Sequence, residues 1–78
     1  MKGYIVTFGK KAVAIQTENK DQYYAPYEDV DELIKQNLDT DMPIVVAFEV
    51  DLTRYAGHSN DKPRYYAKNV QLRDVVHV

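Results

Sequence analysis

No cysteine occurs in the 78 residues, which excludes disulfide staples, thiolate metal sites and thiol nucleophiles together. That lack suits a reducing compartment. No apolar N-terminal leader is present and no run approaches the roughly 18 apolar residues of a membrane span, so the expectation is a soluble, cytoplasmic protein with no membrane partner. Glycine is scarce, and Gly3, Gly9 and Gly57 stand apart, so there is no loop to cradle phosphates. Ser59 is the lone serine, with His58 as its direct neighbour, and nothing supplies an orienting group or an oxyanion hole. His58 and His77 are the only histidines, and Asp61 alone stands near His58, too few donors for a metal. The acid pairs Asp39/Asp41 and Asp29/Glu32 fit helix ends and solubilising charge better than proton transfer. We therefore expect no catalytic residues, no metal and no cofactor: this is not the sequence of an enzyme.

What remains is short and rich in strand formers. A chain of this length builds one domain and buries only about 60–65% of its unfolded surface, so its core must be efficient. Seven tyrosines, with repeated Val and Ile, favour strands over helices. The net charge of −2 argues against a simple polyanion binder. Its distribution is uneven, however. Between Glu28 and Asp51 eight acids face Lys35 alone, whereas from Leu52 onward Arg54, Lys62, Arg64, Lys68 and Arg73 outnumber Asp61 and Asp74. The domain is either electrically two-faced or simply carries mixed charge for solubility.

Residues 2–8 (KGYIVTF) and 11–17 (KAVAIQT) are short alternating runs separated by Gly9-Lys10, which predicts a hairpin. After the polar turn 18–21 comes a third strand, Gln22-Tyr23-Tyr24, closed by Pro26, which cannot donate to a ladder. Val30, Leu33, Ile34, Asn37 and Leu38 fall on one stripe of a 3.6-residue period, predicting a helix over 29–38 with Asp29 as its N-cap, ending at Asp39-Thr40-Asp41 before Pro43. Residues 44–52 alternate cleanly, with Ile44, Val46, Phe48, Val50 and Leu52 on the apolar side. Residues 53–63 (TRYAGHSNDKP) read as a loop, 64–72 as the last strand, and 73–78 as a tail or an extension of that strand. Five strands with a helix between the third and fourth predict an all-β domain, a five-stranded OB-fold Greek-key barrel. A small sandwich or an SH3-like barrel is the rival architecture.

Gly3-x-Ile5-x-x-Phe8 followed by Lys11, then Lys20-Asp21-Gln22-Tyr23-Tyr24, Val46-x-Phe48-x-Val50 and Ala67-x-Asn69-Val70, recur in the order of strands one to five of a known family. Over residues 3–72 the chain resembles the cold-shock domain. The resemblance implies single-stranded RNA or DNA bound on a sheet face where bases stack on exposed rings, each worth about 1–3 kcal/mol. The sequence departs from the family where those rings belong. The Lys-Gly-Phe-Gly-Phe-Ile motif falls on Lys11-Ala12-Val13-Ala14-Ile15-Gln16, so both rings are aliphatic, and Thr7 stands where a tryptophan is expected. Aromatic character persists at Tyr23 and Tyr27, while Ala25-Pro26 replaces a histidine. Val13 and Ile15 either form an exposed apolar patch, which would mark an interface, or point into the core.

Tyr23, Tyr24, Tyr55, Tyr65 and Tyr66 cluster on the third strand and around the fifth, beside Arg54, Arg64 and Lys68. They supply what single strands require, rings for bases and cations for phosphates, although Tyr serves equally at protein interfaces and in cores. The expected function is weak, low-specificity binding of single-stranded RNA or DNA. The expected site comprises Lys10, Lys11, Val13, Ile15, Tyr23, Tyr27, Arg54, Tyr55, Arg64 and Lys68. The alternative is a protein-interaction or homodimerisation module working through Val6, Val13 and Ile15.

Overall fold

The first hairpin forms because Gly9 closes a turn, its N–H donating to the Ala12 carbonyl, and because the flanking residues suit a pleated surface. The strands it joins are β1 (Lys2–Phe8) and β2 (Ala12–Gln16). A turn held by Thr17 and Asp21 leads into β3 (Gln22–Pro26), and a single 3-10 turn (Tyr27–Asp29) and a short helix α1 (Glu32–Lys35) follow. β4 (Ile44–Ser59) and β5 (Lys62–Val75) complete the chain. The structure is a computed structural model that describes residues 1–38, 44–59 and 62–75.

The strands close in the order β1-β2-β3-β5-β4, with β4 returning to β1. Every pairing is antiparallel except that of β3 with β5. That is the OB-fold arrangement, a five-stranded Greek-key barrel with its helix between the third and fourth strands. Gly3 is required where β1 crosses β2: a Cβ there would lie 2.8 Å from the Gln16 carbonyl oxygen. The core is aliphatic, and Val13, Ile15, Ile34, Val46 and Val70 are its largest fully buried side chains, with Phe48 beside them.

The structure decides one placement that the sequence left open and corrects several other expectations. Val13 and Ile15 are core residues, 1% and 0% exposed, so they form no apolar patch. Alternation along β2 allows only one face outward, and a shift of one residue exchanges the faces completely; here Ala14 and Gln16 are the ones turned out. The helix is shorter than 29–38, because Val30 takes an extended backbone and forms a parallel bridge with Val70, next to an Asp31 N–H donating to the Val70 carbonyl. Asp31, not Asp29, is therefore the N-cap, its carboxylate accepting from the Leu33 N–H. Ile34 is fully buried and Leu33 is left 53% exposed. The expected stop at Asp39-Thr40-Asp41 and Pro43 lies outside the described residues.

Residues 53–59 and 62–63 are not a loop. They continue β4 and β5 as a two-stranded arm, paired at Tyr55–Tyr65 and His58–Pro63. The polar composition that reads as loop instead provides irregular steps in the ladder. Asp51 accepts hydrogen bonds from the Thr53 N–H and hydroxyl, and Gly57 takes φ 90°. Because β4 runs past the end of the core here, Leu52 is 72% exposed instead of facing inward. Of the tail, residues 73–75 extend β5 and residues 76–78 lie outside the described residues.

Candidate nucleic-acid interface

Cross-strand register sets one row of residues on the outside of the barrel. Thr7 pairs with Ala14, Ala14 with Tyr24, Tyr24 with Tyr66, and Tyr66 with Asp51. Side chains directly opposite share a face, so this row crosses all five strands. At about 4.8 Å per strand spacing it spans about 19 Å. Thr7 and Ala14 are small and leave a floor, while the Tyr24 and Tyr66 rings stand above it, edge to face with centroids 5.1 Å apart. The result is a shallow groove in two connected parts of about 390 and 440 Å³, sharing Lys10, Lys11 and Tyr24.

Cations surround the tyrosines. Lys10 and Lys11 sit exposed on the turn between β1 and β2 at one side of the groove. The Arg54 guanidinium lies 4.2 Å above the Tyr66 ring, and that of Arg64 lies 5.6 Å from the Tyr24 ring. Such contacts are attractive because the ring face is the negative side of its quadrupole. Arg64 is anchored, its Nε and Nη2 donating to the Ala56 carbonyl at 3.3 and 3.1 Å. Arg54 rides on the irregular step 52–54 and faces Asp29 at 3.9 Å. The Asp51 carboxyl that shapes this step is held below its ordinary pKa, first by the Thr53 hydroxyl, then by the Thr53 N–H, with Lys68 and Arg54 adding to it. Lys68 lies two residues along β5 from Tyr66, hence on the same face, and is exposed.

Known protein families, curated protein sequences and solved structures were all compared with this chain, and none matches.

The expected site residues divide accordingly. Lys10, Lys11, Arg54 and Arg64 converge on the groove, and Lys68 joins the same face. Tyr27 forms part of its wall and locks the neighbouring turn, its hydroxyl donating to the Gly9 carbonyl and its N–H to that of Lys11. Val13 and Ile15 belong to the core and leave the surface. Tyr23 also turns inward: its ring packs against Phe48 at 5.2 Å, and burial, then the Asp21 charge, push its hydroxyl above the ordinary pKa. Tyr55 sits apart on the arm, 51% exposed, against Tyr65 and hydrogen-bonded to His58.

Tyr24 and Tyr66 carry the groove; the sequence places both in its tyrosine cluster, yet the expected site took Tyr23, Tyr27 and Tyr55 instead. Tyr23-Tyr24 and Tyr65-Tyr66 are consecutive pairs, one in each of two strands that lie side by side in parallel. In a strand one member of each pair must face out. The doublets were a visible signal, but which member points outward depends on register.

Among the described residues no group of three or more His, Asp or Glu side chains is placed to hold a metal ion. None of the helices described is long and apolar enough to cross a membrane.

Proposed function

We propose that the outer groove binds single-stranded nucleic acid, weakly and with little sequence preference, as a cold-shock-like OB module. The observation that carries this reading is the register row that puts Tyr24 and Tyr66 together on one face, flanked by Lys10, Lys11, Arg54 and Arg64. Rings offer stacking to any base, and the cations follow a phosphate backbone without reading sequence. The aromatic positions differ from those the cold-shock resemblance implies: the rings stand on β3 and β5, while β2 contributes the small floor residue Ala14.

Titrating poly-pyrimidine RNA and DNA at low salt, followed by tyrosine fluorescence and amide shifts, tests the reading. Binding in the micromolar range or weaker is expected, with shifts centred on Ala14, Tyr24 and Tyr66. If the five nearby cations all engage phosphates, the logarithm of affinity falls against the logarithm of salt with a slope of about −3 to −4. No change in either signal refutes the proposal.

A second reading rests on β1, where Tyr4, Val6 and Phe8 are 37%, 38% and 52% exposed. Of the side chains first considered for a protein contact or homodimer, Val6 alone is on the surface. A Val6→Asp variant that changes the mass found by light scattering at high concentration favours this reading. A monomer in both proteins counts against it.

A further inference from the structure

Arg54 and Arg64 both lean on tyrosine rings of the groove, but they are held differently. Arg64 donates twice to a backbone carbonyl and is fixed in place. Among the described residues Arg54 makes no such backbone contact: its neighbours are the Tyr66 ring at 4.2 Å and the Asp29 carboxylate at 3.9 Å. The guanidinium covers a ring face on which a base would stack. Asp51, the other acid close to Arg54, already accepts two hydrogen bonds from Thr53. Asp29 comes from the 3-10 turn after Pro26 and is the carboxylate that faces this arginine as an ion pair.

On the reading of the groove as a nucleic-acid face, we infer that Arg54 is a gate, which Asp29 holds closed over Tyr66 until a phosphate group takes the guanidinium away. The ion pair suits such a role because it is weak. Its side chains are 46% and 30% exposed, and pairs of this kind are readily displaced. A phosphate offers the guanidinium shorter, paired, charge-assisted hydrogen bonds. Moving the arginine to a phosphate bares the ring for a base, so one exchange prepares both contacts. The occupant is a single-stranded nucleic acid: each nucleotide presents a phosphate and a flat base for the two halves of the exchange, and a strand carries further phosphates to Lys10, Lys11 and Arg64 along the groove.

The test is a double-mutant cycle read by fluorescence anisotropy with fluorescein-labelled oligo(dT) and oligo(U) of about 12 nucleotides, within the span that one OB barrel covers. Asp29→Asn is expected to tighten binding about two- to fivefold, the range of a weak surface pair. That gain is expected to vanish when Arg54 is Gln. Glu28→Gln is the control, because Glu28 lines the same groove but pairs with no arginine in any ion pair of the described residues. Its effect through net charge should be the same in both backgrounds. In the free protein, the Arg54 side-chain protons should show an upfield ring-current shift that Asp29→Asn reduces. A gain for Asp29→Asn that survives Arg54→Gln, or equals that of Glu28→Gln, overturns the gate while leaving the groove reading intact. No binding by the wild type overturns both.

Discussion

Tyr23 and Tyr24 are adjacent in β3, yet truncating them should produce opposite consequences. Tyr24 stands on the outer row, edge to face with Tyr66 and beneath Arg64. Tyr24→Ala removes one stacking ring, worth about 1–3 kcal/mol of binding, which is about a fivefold to hundredfold loss of affinity. The loss of its partner ring lowers stability by about 0.5–1.5 kcal/mol. Tyr23 packs against Phe48 at the margin of the core. Full burial of such a ring makes truncation cost about 3–5 kcal/mol, and a half-buried one falls nearer 2 kcal/mol. In a domain of this size each kcal/mol lowers Tm by about 4–8 °C. Tyr23→Ala should therefore melt about 8–16 °C lower while keeping, when folded, the affinity of the wild type. Thermal denaturation by circular dichroism and anisotropy titration well below Tm measure the two effects separately. The reasoning is refuted if Tyr23→Ala weakens oligonucleotide binding as much as Tyr24→Ala does, or if Tyr24→Ala is the less stable of the pair.

Other consequences follow from single contacts. Gly3→Ala places a Cβ 2.8 Å from the Gln16 carbonyl oxygen and 3.0 Å from Ile15 Cγ2; overpacking against backbone should cost about 1–3 kcal/mol, read as a lower denaturation midpoint with an unchanged m-value. The Thr17 hydroxyl is buried with no hydrogen-bond partner among the described residues, so Thr17→Val should raise stability by about 1 kcal/mol, and a loss of stability would show that the hydroxyl is satisfied. The Thr53 amide resonance should titrate with a midpoint below 3.8, the ordinary value for an aspartate, because its hydrogen bonds favour the Asp51 carboxylate. A folded-state pKa held down means this contribution to stability is complete above the unfolded value and disappears as pH falls through the folded one. Asp51→Asn should abolish that transition.

Much of the barrel is legible in the sequence. β1 and β2 were marked by alternation about Gly9, Pro26 marked the end of β3, and nine alternating residues marked the first half of β4. The arm was not legible, since Gly57, Asn60 and Pro63 mark a loop when only local composition is weighed. Its strands persist because each supplies the other's backbone partners, a pairing between residues distant from the core. The helix was overestimated for a related reason. Val30 satisfies a helical stripe, but the sheet offered it the backbone of Val70 and won.

The site divides in the same way. Sequence by itself determined the inventory: tyrosine doublets, and bases near the first turn and in the last third. It also determined that two alternating faces would exist, because a strand's side chains must turn out and in. Which face each residue took was decided by tertiary structure alone. Strand register is a property of pairs of strands, and a single step sends Val13 and Ile15 inward and leaves Ala14 outside. The parallel pairing of β3 with β5 then set Tyr24 beside Tyr66, joining residues 42 positions apart into one row.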